Sequence, residues 1–155
     1  MLTTTTAHPA PRRALLIDLD SMVRDDGTWL TQQQLRARLE DVLAQAVPVN
    51  HLLAAGRRET VARYIEPISV LHLPVKLAPS VTGGVAEALL ERGRHLLDVG
   101  YTELFLASGH HQLAPLCQHP GLARSVVCTQ EHGLSWQLRT TATEVILLPP
   151  QVITA

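Results

Sequence analysis

Six short apolar runs separated by helical patterns constrain the fold of this chain more than any other feature. They are ALLIDL (14–19), VNHLLAA (49–55), SVLHLPVKL (69–77), TELFLAS (102–108), SVVCT (125–129) and TEVILLPP (143–150). ALLIDL shows no polar alternation before Asp18, the pattern of a strand covered on both faces. Pro74 places the third run at a sheet edge or ends it early, since proline cannot donate to a ladder.

Between these runs the spacing turns helical. Thr31 and Gln34 form a capping box, Leu30 and Leu35 take the staple positions, and Leu35, Leu39, Val42 and Ala46 make one apolar face. Gly56 opens a short helix through RRETVARYI, a longer helix covers 82–99 with Gly100 as its stop, and short helices are expected at 112–117 and 134–142. Strand and helix alternating in this way predict an α/β three-layer sandwich with a mostly parallel central sheet. The chain has 155 residues, enough for one core but not for two ordinary domains. Residues 14–155 are expected to form that domain, after a flexible N-terminal tail over 1–13.

Hydrophobic content of 46% with only 3% aromatics implies an aliphatic core. A formal charge of −1 excludes a protein that grips nucleic acid by bulk charge, so any such contact must be local. Lys76 is the single lysine among 13 basic residues. Cys117 and Cys128 lack metal or redox spacing and are read as buried free thiols in a reducing compartment. With no signal-type opening and no run of the roughly 20 apolar residues that a span requires, the expectation is a cytoplasmic protein with no membrane contact.

In a parallel sheet the ligand crevice lies outside the carboxyl ends of the strands. The residues at those ends are Asp18, Asp20, Gly56-Arg57-Arg58, Lys76, Ser108 to His111 and Thr129 to Glu131. Asp18 and Asp20 are two apart on a strand, so their side chains are expected to face the same way. Paired carboxylates there suit a hard divalent cation such as Mg²⁺ or Mn²⁺; the alternative is that Asp18 caps the turn and Asp20 is solvated. Arg57 and Arg58 are placed to hold a phosphate, or simply to begin a solvated helix with Glu59.

Three stretches together resemble NYN domains, members of the PIN-like nuclease superfamily. LLIDLDSM (15–22) is similar to the family's first strand, which ends Ile-Asp-Gly-Asp-Asn. LFLASGHHQLAPL (104–116) is similar to its Ser-Gly-Asp-x-Asp-Phe motif, and VKLAPSVTGGVAEALLERG (75–93) to its lysine and acidic helix. The likeness spans residues 14–127 and keeps the element order. It implies a PIN-like fold and metal-dependent RNA hydrolysis, with RNA, a protein partner or a second copy of the chain as partners. Carried over by position, Asp18 matches the first metal aspartate and Asp20 the second acidic residue, Ser21 replaces an Asn, Glu91 matches a second acidic position on the helix, and Lys76 matches the lysine that would contact RNA backbone. Any RNA contact is expected from Arg57, Arg58 and Lys76 beside the crevice, with Arg92 or Arg94 of the central helix as further contacts.

The departure lies at His110 and Gln112, which stand where that motif has its two aspartates. Imidazole suits Zn²⁺, Mn²⁺ or Fe²⁺ better than Mg²⁺. Three readings of His110 stay open: a catalytically silent site, an altered metal site with Asp18 and Asp20, or a general acid or base. The resemblance therefore implies a divergent NYN/PIN-like domain with weak or lost catalysis and an RNA- or protein-binding role. The alternative is an active ribonuclease using Asp18, Asp20, Glu91 and His110. LLIDLDSM is also similar to the Asp-x-Asp strand of haloacid-dehalogenase-like phosphohydrolases, but no lysine follows Ser108 as that family requires.

Overall fold

The computed structural model describes residues 11–152. Its centre is a six-stranded parallel sheet in the order β5-β4-β1-β6-β7-β8, formed by β1 (Arg13–Asp18), β4 (His51–Arg57), β5 (Val75–Ala78), β6 (Glu103–Ala107), β7 (Arg124–Thr129) and β8 (Glu144–Leu147). The chain builds outward from β1 to β5, then returns to the other side of β1 to lay down β6. The order therefore reverses between β1 and β6, where the diverging connections leave an opening at the carboxyl edge.

Successive residues of β1 feed opposite cores. Ala14 and Leu16 join Leu89, Leu113, Leu116 and Leu138 on one face, under α5 (Gly84–Asp98), the 3₁₀ turn His111–Gln118 and α6 (Trp136–Thr141). Leu15 and Ile17 join Leu35, Leu39, Tyr64 and Ile68 on the other, under α2 (Gln32–Ala46) and α4 (Ile65–Val70). These side chains are almost all aliphatic, and each fully buried leucine contributes about 1.5–3 kcal/mol. The α/β sandwich is thus present with both sheet faces covered. Among the described residues no helix is long and apolar enough to cross a membrane.

Local signals explain most boundaries. Thr31 and Gln34 form the capping box of α2, with Thr31 Oγ1 accepting from Gln34 N–H at 3.1 Å and Gln34 Oε1 accepting from Thr31 N–H at 2.8 Å. Cys128 is buried, as expected, while Cys117 is only half-buried; burial pushes both thiols up, Cys128 to about 12.

Several expectations need correction. The expected 69–77 strand is only Val75–Ala78, because Ser69 and Val70 finish α4 and the chain turns at Leu71–His72 before Pro74. Its edge position, as Pro74 suggested, is correct. The expected tail over 1–13 ends earlier, since Arg13 already pairs in β1 and the Arg12 carbonyl accepts from Thr102 and Glu103; residues 1–10 lie outside the described residues. A small hairpin, β2 (Arg24–Asp25) with β3 (Thr28–Trp29), follows α1 (Leu19–Met22), and turns through Asp26 and Gly27, both at positive φ (46° and 81°).

That hairpin is held by a buried ion pair. The Arg38 side chain is fully buried and donates to the carbonyls of Met22 and Arg24 and to the Asp25 carboxylate, while Asp25 also accepts from the backbone N–H of Gln151 and Val152. Removing one partner of a buried pair strands the other charge, at a cost of about 3–5 kcal/mol. Asp25→Ala should therefore lower unfolding free energy by about that amount in urea melts; a loss under ~1 kcal/mol, the scale of an exposed pair, would contradict this account.

Candidate functional site at the carboxyl edge

Asp18, Asp20, Arg57 and His110 converge on one crevice of about 320 Å³, whose remaining wall is the segment from Ser80 to Ala86 that leads into α5. It lies at the reversal between β1 and β6, as strand order requires.

Asp18 ends β1 and caps α1. Its Oδ1 accepts from Ser21 N–H at 3.1 Å, and its Oδ2 accepts from Ser21 Oγ at 2.7 Å and Ser108 Oγ at 2.9 Å. Ser108 Oγ in turn accepts from His110 N–H at 3.1 Å, so one chain of bonds links the ends of β1 and β6. The Asp18 carboxyl is buried, 3% exposed. Burial pushes its pKa up, and the neighbouring Asp20 charge adds to this, against the opposing pull of the serine bonds.

Asp20 does not face the crevice as a strand neighbour of Asp18. The chain turns into α1 at Leu19, and Asp20 reaches the crevice from that helix. Its carboxylate is engaged by Arg57: Oδ1 accepts from the backbone N–H at 3.1 Å and Oδ2 from Nε at 2.5 Å. Arg57 is the last residue of β4, so this pair ties the end of that strand to α1.

His110 caps the 3₁₀ turn that begins at His111. Its Nδ1 accepts from Gln112 N–H at 3.2 Å, which requires the neutral ring to carry its proton on Nε2. Burial and then His111 hold its pKa below the usual histidine range, with Asp18 opposing. The ring stacks on His111 at 4.7 Å between centroids. His110 therefore presents a donor, Nε2–H, and no free lone pair.

The other sequence candidates fall elsewhere. Glu91 and Lys76 line an adjoining groove of about 580 Å³ between β5 and α5, which meets the crevice along Val81 to Gly84. Gln112 lies in that groove with Oε1 buried and without a partner among the described residues. Gly83, at φ +76°, packs so closely on this amide that a Cβ there would fall 2.7 Å from Oε1. Arg58 starts α3 (Arg58–Arg63) and is exposed outside the crevice wall. Arg92 pairs with His51 Nε2 at 3.1 Å, away from the crevice. The wall from Ser80 to Ala86 escaped sequence reasoning, although its Thr-Gly-Gly was the available signal for close backbone approach.

As arranged, these residues are not set as a Mg²⁺ or Mn²⁺ ligand group. Both oxygens of Asp18 are bonded to Ser21 and Ser108, both oxygens of Asp20 to Arg57, and His110 offers a proton; among the described residues no group of three His, Cys, Asp or Glu side chains is placed to hold an ion. Beside the two carboxylates, the crevice is lined by Arg57, His110 and the amino end of α5, a 15-residue helix whose positive end favours negative charge.

No family model matches the chain, and no curated protein does. Among solved structures, VPA0982 from Vibrio parahaemolyticus, described as a protein of unknown function, aligns with a TM-score of 0.68 over 91% of this chain and 94% of its own, at 14% identity. The likeness is one of fold. It covers the sheet and its helices nearly end to end.

Because the Asp18 pKa is raised, the folded state binds its proton more tightly than the unfolded chain does. Stability from this group is then greatest at low pH and declines as pH rises from the unfolded value of about 4 through the folded one. Asn at position 18 keeps a side-chain oxygen for Ser21 N–H and never ionises. The Tm difference between Asp18→Asn and the native chain should therefore grow in favour of the variant from pH 4 to pH 8. A difference that stays flat, or moves the other way, would show that Asp18 is not held as argued.

Proposed function

We propose that this chain is a divergent NYN/PIN-like domain that holds RNA by its phosphodiester backbone at the crevice and has weak or lost metal-dependent cleavage. The observation that carries the reading is the internal commitment of both carboxylates, to Ser21 and Ser108 in one case and to Arg57 in the other. A phosphate oxygen entering there meets the Arg57 guanidinium, which uses only Nε on Asp20 among the described residues, and the Nε2–H of His110. It also meets the amino end of α5, which favours anions.

The adjoining groove extends the path. A strand leaving the crevice across Val81 to Gly84 reaches Lys76, and the exposed Arg58 follows Arg57 at the start of α3. With a net charge of −1 and few clustered cations, the grip is modest and local. A protein partner or a second copy of the chain remains the reading to adopt if RNA is not bound.

A fluorescent single-stranded RNA titrated over a salt series tests this. Two or three phosphate contacts give a log–log slope of about −2 or shallower, and Arg57→Ala should weaken binding at least about tenfold, the range for a lost charge-assisted hydrogen bond. The same RNA should survive prolonged incubation with Mg²⁺ or Mn²⁺. Tight binding indifferent to Arg57→Ala would place the contact surface elsewhere. Robust Mn²⁺-dependent cleavage abolished by Asp18→Asn would favour the active ribonuclease using Asp18, Asp20 and Glu91.

A further inference from the structure

The chain has only five aromatic residues of the Phe, Trp and Tyr class, and four of them are used inside the fold. Phe105, Tyr64 and Tyr101 are buried, and Trp29 stacks on Tyr64 between the guanidinium groups of Arg24 and Arg63. Trp136 is different: it is 70% exposed, the most exposed of the large hydrophobic side chains among the described residues. An aromatic-poor chain leaves its one free indole in water, where it contributes nothing to the core.

The backbone places that indole at the ligand edge of the sheet. After β7 ends at Thr129, Gln130 Nε2 donates to the carbonyls of Ser21 (3.2 Å) and Arg24 (2.9 Å), which anchors the loop to the Asp18 side of the crevice. Ser135 N–H then donates to the Gly109 carbonyl at 3.0 Å. Gly109 and Gly133 pack so closely that a Cβ on Gly109 would fall 1.7 Å from the Gly133 carbonyl oxygen. The loop is therefore clamped onto the Ser108–His110 turn, and Trp136 follows the clamp by one residue. Residues 130–135 carry Glu131 and no lysine or arginine, so this part of the rim offers a flat ring rather than phosphate contacts.

We propose that Trp136 forms a stacking platform for an unpaired nucleobase of single-stranded RNA whose phosphate is held at the crevice. The proposal rests on the RNA-binding reading above and adds to it the strandedness of the ligand. Every base has a π-face, so the platform selects unpaired bases with little preference among the four, whereas a duplex keeps its bases stacked on one another and cannot use it.

The test uses the full chain and three labelled probes: an eight-nucleotide single-stranded oligouridylate, the same oligomer with abasic positions, and a duplex of equal length. Trp136→Ala should weaken binding of the single strand by roughly 5- to 150-fold, the range for one lost base–aromatic stack, with an unchanged salt slope. Trp136→Phe should retain most of the affinity, and the abasic oligomer should bind the native chain and the alanine variant equally. Because the indole is exposed, the alanine variant should melt at the native temperature, which circular dichroism checks. If Trp136→Ala binds like the native chain while Arg57→Ala is weakened, the platform is refuted and the crevice reading stands. If the native chain binds none of the probes at low salt, the crevice reading falls and the platform with it, leaving the indole as an anchor for a protein partner.

Discussion

A carboxylate buried at the end of the central strand sets the terms for everything around it. Asp18 ends β1 between β4, where Ala55 lies opposite it, and β6, at the point where the strand order reverses, and it is buried there. An unpartnered carboxylate there is prohibitive, so the fold surrounds it with donors. Ser21 comes from the helix that Asp18 itself caps, and Ser108 comes from the end of β6. The serine hydroxyl then supports His110, so satisfying Asp18 also orients the Ser-Gly-His-His turn. Strand end, helix start and turn are held by one acceptor.

The electrostatic character of the crevice follows from that arrangement. Burial pushes the Asp18 pKa up while its oxygens accept from Ser21 and Ser108, Asp20 is paired with Arg57, and burial with His111 holds the His110 pKa down while its Nδ1 accepts from Gln112. The candidate cation ligands at the strand ends, Asp18 and Asp20, thus already have partners within the fold. Donors remain, and donors recruit anions. His110 and Gln112, at the end of β6, bring no negative charge either.

The sheet was legible in the sequence because strand and helix differ in hydrophobic period. All six apolar runs contain strands of the central sheet, and Pro74 marked its edge. The longest run misled because SVLHLPVKL reads as continuous apolar sequence, although the end of α4 at Val70 and positive φ at His72 divide it into helix, turn and strand. The Asp26-Gly27 hairpin had a usable signal, a turn dipeptide able to adopt positive φ at both positions. Within the site, Asp18, Asp20, Arg57 and His110 were identifiable from their places at strand ends. Their bonding was not, because Asp20 depends on where β1 gives way to helix, and the His110 tautomer depends on a backbone N–H two residues on. Glu91 shows the limit of helical spacing: its turn of α5 faces the adjoining groove. Trp136 was invisible for a related reason, since exposure of an indole is a property of the packed chain.

The most direct test of this account asks whether the crevice accepts a cation. Amide ¹H–¹⁵N spectra recorded while substoichiometric Mn²⁺ is added report any ion bound near Asp18 through paramagnetic broadening. If the carboxylates are committed as described, the signals of residues 18–21 and 108–110 keep their intensity relative to the rest of the chain. Selective loss of those signals at micromolar Mn²⁺ would show that the serines and Arg57 yield their partners to a metal, and would contradict the account.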